Sequence, residues 1–390
     1  MHRHTWAEVR LDRIAHNIKQ IRQRIGPRVQ FMAAVKADAY GHGDVQVAEV
    51  ALKSGVDAFA VALLSEAIHL RQNGIRAPIL VLTPIVPQDI DIAVANDLAL
   101  TVSDATWLQE MRRYKTSKDR VRVHVKCDTG LGRLGLRERA ELGALAPLLR
   151  ADDIAVEGLY THFASANQPD TTYYNEQYQR FLAMQESFKA EGFPDVTVHC
   201  ANSAAALRDP DNTFDMVRIG AALYGIDPVP GEVSRVSLQP ALSLHTRVTH
   251  VKRLKKGCFV GYDMSYRTVG DEWIATVPIG YADGWSHCFQ GFHTLVGGRE
   301  APIVGKICMD QQMICLPAYY PPGTKVTLLG AQGKRRILLS DLGQHVGGAP
   351  QEVSTMITDR VPRVYLYDGE VVGVYEERSR MAARDPVVVG

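Results

Sequence analysis

Lys36 stands in the run FMAAVKADAYGHG, where an apolar stretch gives way to a glycine-rich turn. An amine carried from an apolar strand into a buried rim loses solvation, which lowers its pKa and frees the lone pair that Schiff-base chemistry needs. A lone lysine is more often a solvated surface charge, so position has to decide. Tyr40, in the same run, suits a core or a hydrogen-bonding role equally well. CANSAA (200–205) and RIGAALYG (218–225) each read as a strand end opening a short helix. Asn202 or Ser203 caps the first, and Gly220 lets the backbone approach closely at the second. Exposed N–H groups at such helix starts bind phosphate, with plain capping as the competing reading. VKCDTGLGRLG (125–135) is glycine-rich but lacks the GxxxxGK[ST] spacing of a P-loop. Lys126 and Arg133 in that loop read by default as structural ion-pair residues. Arg218 suits packing its stem against the core and capping a carboxylate, and His162, in LYTHFASAN, suits a satisfied core histidine as well as a site.

These residues have to be positioned by something. An amphipathic helix opens the chain at about Asp12 to Ile25, with Ile14, Ile18, Ile21 and Ile25 at helical spacing. Short apolar runs then alternate with segments of helical period. Strands are expected at 29–35, 58–62, 79–82, 98–102, 121–125, 154–160, 196–200 and 215–219. The helices between them include Val45–Lys53, Ser65–Gln72, Ala105–Arg113, Glu138–Arg150 and Tyr173–Glu191. Strict β–α alternation implies a parallel sheet with right-handed crossovers, and eight units suit a (β/α)8 barrel, with an open doubly wound sheet as the alternative. In a barrel, chemistry belongs at the C-terminal ends of the strands. Lys36, Lys126, His162, Asn202, Ser203 and Arg218 all fall there. Loops after the last two strands often take phosphate, which favours that reading of Ser203 and Gly220.

From about Leu238 the grammar changes to strand-like runs broken by KKG, GYADG, VGG, YYPPG, AQGK and YDGE, with no long helix. The expected organisation is an α/β (β/α)8 TIM-like barrel over 1–239, then a mainly β domain over 240–390 that ends in the polar tail ERSRMAARDP. Composition narrows the function. The chain has 390 residues, 46% hydrophobic and 22% charged, with 44 basic and 43 acidic side chains. That balance exerts no general pull on nucleic acid or anionic membrane, and no apolar run approaches the ~18 residues of a membrane helix. The basic cluster 112–126 has acidic neighbours and lacks interleaved aromatics, so nucleic acid is not an expected partner. The first residues lack a secretory pattern, and six cysteines without a CxxC pair suit a reducing cytoplasm.

The motifs together resemble the alanine racemases, pyridoxal-phosphate enzymes built from a barrel and a β domain. The resemblance rests on AVKADAYGHG (34–43), KCDTGLGRLG (126–135), EGLYTHFA (157–164), CANSAA, MVRIGAALYG (216–225), GYDMSY (261–266), PIGYADG (278–284), VGKICMDQ (304–311) and RVPRVY (360–365), in the family's order over nearly the whole chain. It implies that Lys36 carries pyridoxal 5'-phosphate and acts as base on one face of the substrate. Tyr266, from a partner subunit, is implied as the base on the other face, so that a homodimer shares its sites. Arg218 resembles the arginine facing the pyridine nitrogen, and His162 the residue stacked beside the ring and linked to it. Arg133 resembles the arginine near the cofactor phenol and substrate carboxylate. Tyr40, Asn202, Ser203, Gly220 and Tyr365 match cofactor positions, mostly around the phosphate. Met309 and Asp310 match the substrate-contacting turn, and Lys126 a lysine that many members carry carbamylated. The stretch GGAPQEVS (347–354) departs from the family, which often has a tyrosine there.

Racemisation removes a Cα proton from one face and returns one to the other, so two bases are needed while the cofactor takes up charge. A tyrosine base, with an ordinary pKa of ~10, needs cationic or histidine neighbours. Arg218 cannot release its proton, so it donates to the pyridine without protonating it. Alternatives are a decarboxylase of the same cofactor fold, which lacks support because THFASAN replaces the HxGS turn, and a non-catalytic cofactor carrier, which would lack the β domain. A metal-dependent barrel hydrolase would use His2, His4, Lys126, His162, His199 and Asp215, although its HxH pair precedes any strand. The resemblance implies alanine as substrate and D-alanine for peptidoglycan as its use, with serine or basic amino acids admitted by changes at the rim.

Overall fold

The computed structural model describes residues 2–229 and 235–376, so the expected polar tail lies outside the described residues. All eight expected barrel strands are present, and they follow a first strand that the sequence reading did not foresee. That strand, β1, is Trp6–Arg10. The barrel strands are β2 (Gln30–Ala34), β3 (Ala58–Val61), β4 (Ile79–Val81), β5 (Ala99–Val102), β6 (Val121–Lys126), β7 (Ile154–Tyr160), β8 (Thr197–His199) and β9 (Met216–Ile219).

They form one sheet in the order β8-β7-β6-β5-β4-β3-β2-β9, each neighbouring pair parallel. The two ends meet where Asp215 N–H donates to the carbonyl of Val198 and Arg218 N–H to that of Ala201. β3, β4 and β5 are buried along their whole length, as expected of parallel strands covered on both faces. The helix Leu11–Ile25 buries Ile14, Ile18, Ile21 and Ile25 on one stripe. Helices Asp44–Lys53, Leu64–Gln72, Ala105–Tyr114, Arg139–Leu149 and Thr172–Ala190 match their expected places to within a residue or two.

The other compact unit is mainly β. Its sheet runs from His250–Leu254 through Glu272–Val277, Gln312–Leu316, Arg299–Val304, His293–Val296, Lys325–Gln332 and Leu242–Arg247 to β1, then Arg363–Tyr367 and Glu370–Tyr375. Two short helices, Leu339–Val346 and Pro350–Met356, lie within it. β1 pairs antiparallel with Leu242–Arg247 and parallel with Arg363–Tyr367. Residues 1–13 and Tyr40–Gly43 therefore belong with the segment from Pro240 onward, which modifies the expected 1–239 and 240–390 division. The reason is non-local pairing: WAEVR is a short run next to a helix, and its partners lie far along the chain.

Glycines mark the tight points of this unit. Gly284 has φ +88°, and a Cβ there would sit 1.8 Å from the Met356 carbonyl oxygen. Gly26 also has positive φ but open space around it. Gly284→Ala is expected to cost about 2–4 kcal/mol by adding backbone strain to overpacking, against about 1 for Gly26→Ala, measured by urea unfolding.

Candidate active site

Lys36 follows β2, and the chain then turns in an unusual way. Ala37, Asp38, Ala39 and Tyr40 have φ of 52°, 52°, 51° and 57°. The left-handed region costs a residue with a side chain ~1–2 kcal/mol, and strain of this kind gathers at functional sites. Burial is the main force holding the Lys36 amine below its ordinary pKa; the Arg133 cation adds to this and the Glu66 carboxylate opposes it.

Lys126 closes β6 and is buried. Its amine is pushed down to about 8, chiefly by burial, and lies 5.4 Å from the centre of the Tyr160 ring. Among the described residues no carboxylate lies within ion-pair distance of Lys126 or Arg133, so neither takes the structural ion-pair role that is the default for such residues.

Arg218, on β9, is the best-defined group. Its Nη2 donates to the Thr161 carbonyl at 2.6 Å and to His162 Nδ1 at 3.2 Å. Nη1 donates to His199 Nδ1 at 2.9 Å, and His199 Nε2 lies 2.8 Å from His124 Nδ1. The proton positions follow from one fact: guanidinium only donates. His199 Nδ1 therefore accepts, its Nε2 carries the proton, and His124 Nδ1 accepts that proton's hydrogen bond. His162 Nδ1 accepts as well. Tyr160 lines the same side, stacked on His199 at 4.9 Å and lying 5.0 Å from the Arg218 guanidinium, with its hydroxyl 2.7 Å from Thr101 Oγ1. Burial and the Arg218 charge hold His162 and His199 well below the usual imidazole pKa; burial, with Arg122 and then Arg218, takes His124 down to about 3. The His124 ring fits because residue 158 is glycine, where a Cβ would sit 2.2 Å from Nδ1.

Ser203 Oγ accepts the N–H of Gly220 at 3.0 Å and approaches that of Ala222 at 3.4 Å. Two backbone donors and a hydroxyl thus converge after β8 and β9, a donor set suited to a phosphate. Asn202 takes the capping role instead, its Oδ1 accepting the Ala205 N–H at 3.0 Å.

The remaining expected residues belong to the β unit. Tyr266 lies in a two-stranded ribbon with Phe259–Val260, and its hydroxyl donates to Glu272 Oε2 at 2.7 Å. Burial and this carboxylate push its pKa up, opposite to the direction expected of a tyrosine base. Met309 is exposed, whereas the Asp310 carboxylate accepts from Arg360 at 2.7 Å. Tyr365 is buried opposite Val9, and Tyr40 is half-buried, which raises its pKa.

The chain is similar to known proteins over nearly its whole length. The family model "Alanine racemase, N-terminal domain" matches residues 9–228, and "Alanine racemase, C-terminal domain" matches 241–365. The chain belongs to the alanine racemase family. Alanine racemase of Geobacillus stearothermophilus is 47% identical over 376 residues, 96% of either chain. Alanine racemase 1 of Bacillus subtilis is 42% identical over the same length and the same share of each chain. The crystal structure of alanine racemase from Bacillus anthracis with bound L-Ala-P has a TM-score of 0.95 at 45% identity, covering 97% of this chain and 99% of that one. A histidine racemase from Leuconostoc mesenteroides has a TM-score of 0.83 at 30% identity, with 94% and 98% covered.

The chain is thus an isomerase of the alanine racemase family. The hydrolase alternative loses its ligands, since both nitrogens of His199 are engaged and Asp215 accepts the Val198 N–H at 2.7 Å. His124 and Tyr160 escaped the sequence reading, as did the part His199 plays. The available signal was a polar residue at an inward position of an otherwise apolar strand, as in VRVHVK. Three neutral histidines, His124 and His199 buried and His162 half-buried, carry a pH signature. Their folded pKa values lie below the unfolded value of ~6.5, so below that pH the unfolded chain takes up protons that the native state refuses. Stability is therefore complete above about pH 6.5 and lost as pH falls. His124→Gln should flatten the acid limb of urea unfolding by about 1.4 kcal/mol per pH unit between about pH 6 and 4.5.

Proposed function

We propose that the chain interconverts L-alanine and D-alanine with pyridoxal 5'-phosphate held on Lys36, in the cytoplasm, supplying D-alanine for peptidoglycan. The observation that carries the cofactor reading is a set of groups suited to its parts at the strand ends of one barrel. An amine of lowered pKa stands at Lys36, a donor-only cation at Arg218, and a phosphate-type donor set at Ser203, Gly220 and Ala222. Relatives more than 40% identical over nearly their whole length, all named alanine racemase, support the substrate. When bound, the cofactor supplies an electron sink for the charge that develops at Cα.

The residues divide the remaining work. Lys36, neutral more readily than an exposed lysine, takes or returns the proton on one face. Arg218 would donate a hydrogen bond to the pyridine nitrogen of a bound cofactor and keep its own proton, which would limit delocalisation and suppress transamination. His162, its Nδ1 tied to Arg218, would lie beside the bound ring. Arg133, exposed and without an ion-pair partner among the described residues, is suited to a carboxylate. The lowered pKa of Lys126 favours carbamylation, because only the neutral amine attacks carbon dioxide. Asn202 supports the cofactor site through the helix it caps. The family resemblance implies that Tyr40 and Tyr365 would serve the phosphate, and Met309 and Asp310 the substrate.

Tyr266 serves the opposite face in a second copy of the chain. The exposed apolar side chains around it support a covered surface: Phe259, Tyr262, Met264, Val269 and Met309. Large apolar side chains left exposed in this way suit a homodimer interface. A panel of single L-amino acids sets the substrate range, to which serine or a basic amino acid is added if the departure at GGAPQEVS opens the rim.

Two outcomes are expected. Borohydride reduction of the cofactor-loaded protein should fix the cofactor on the peptide containing Lys36, read by peptide mapping, and Lys36→Ala should abolish that label. Mixing Lys36→Ala with Tyr266→Phe, each inactive, should restore part of the activity through one hybrid site, provided that subunits exchange. Absence of recovery despite demonstrated exchange means that each chain builds its own site.

A further inference from the structure

Glu66 has no role so far except its charge. It occupies the third position of the helix Leu64–Gln72, where a glutamate commonly folds back onto the cap N–H. One oxygen does this, Oε2 accepting the N–H of Ala62 at 2.7 Å and of Leu63 at 3.0 Å. The other does something a cap does not require. Oε1 reaches across to accept the N–H of Ala37 at 2.6 Å. Ala37 follows Lys36 directly and is the first residue of the left-handed run.

We infer that Glu66 is a positioning residue for Lys36, a carboxylate clamp that ties the backbone just beyond the lysine to the end of β3. This rests on the reading of Lys36 as the cofactor lysine. The physical case has two parts. A left-handed turn of residues with side chains does not hold itself, because each step runs against the intrinsic preference of the chain. The first N–H of the turn is given a charged acceptor, the stronger kind of hydrogen bond, from a rigid neighbouring element. The direction in which Lys36 leaves the backbone is then set by β3 and the start of its helix rather than by the turn alone. Position and charge act together, since the same carboxylate opposes the influence of Arg133 on the amine.

The test uses the full chain with and without pyridoxal phosphate and compares wild type, Glu66→Ala, and Leu63→Asp/Glu66→Ala. Leu63 is exposed and has the extended backbone of a cap residue, so aspartate there restores the helix cap without reaching Ala37. Two quantities are read: deuterium exchange at the Ala37 amide and the rate of cofactor attachment at neutral pH. In both variants, exchange at Ala37 should rise about tenfold or more and attachment should slow by a similar factor, while the double variant regains its melting temperature. kcat should fall with KM little changed. Unchanged exchange at Ala37 in Glu66→Ala, or wild-type attachment in the double variant, overturns the inference and leaves Glu66 a helix cap. If exchange rises as expected but the cofactor maps to another lysine, the assignment of Lys36 fails, and the positioning role falls with it.

Discussion

The barrel unit is organised around a cation that can only donate. Arg218 is buried, and among the described residues no carboxylate lies within ion-pair distance of it. Burying an unpaired charge is expensive, and the cost is offset here by acceptors: the carbonyls of Thr161 and His199 and the two imidazoles of His162 and His199. Every acceptor has to stay an acceptor, so the histidines have to stay neutral. The charge helps to enforce this by penalising a second positive group nearby. One residue that keeps its proton thereby fixes the protonation and the tautomers of its neighbours as far as His124, and Gly158 makes room for the last ring of the chain.

The same logic acts on the lysines in a milder form. Lys36 and Lys126 are cations near Arg133, and Lys126 is near Arg218 as well. Burial and like charge both favour the neutral amine, so each lysine becomes a better nucleophile without any base beside it. Glu66 works against this at Lys36. The site is therefore not tuned to the lowest attainable pKa. The carboxylate also bonds to the N–H that follows the lysine, so the amine retains some basicity together with a fixed point of departure.

Much of this was legible in the sequence, and what was not had physical reasons. The eight barrel strands were found because parallel strands buried on both faces leave short apolar runs, and Lys36, His162 and Arg218 stood out as candidates because they lie where those runs stop. β1 was missed because its partners, His245 and Arg363 among them, are distant in the chain. The histidine chain was missed because hydrogen bonds between β6, β8 and β9 have no sequence spacing. Neither Glu66 nor the left-handed turn leaves a trace in local preference, since ADAY contains no glycine. Tyr266 was reached through resemblance alone: a tyrosine in a β ribbon has no local mark of chemistry.

Tyr266 sits in an environment unlike the one a tyrosine base needs. Within its own unit the phenol faces the Glu272 carboxylate, and the Cys315 thiol shares that carboxylate. A negative neighbour keeps the phenol protonated, which suits a group that delivers a proton and hinders one that removes it. The cationic groups that would favour the phenolate have to come from elsewhere. The barrel of a second copy holds them in abundance, since Arg218, Arg133, Lys36 and Lys126 all act on its neutral His162. On the proposed reading, the positive groups of another barrel would act on the phenol against the Glu272 carboxylate that stays beside it. Assembly then does more than bring a residue into reach. It would add cations that oppose the Glu272 carboxylate at the phenol, so on that reading the two-base mechanism and the dimer rest on one electrostatic requirement.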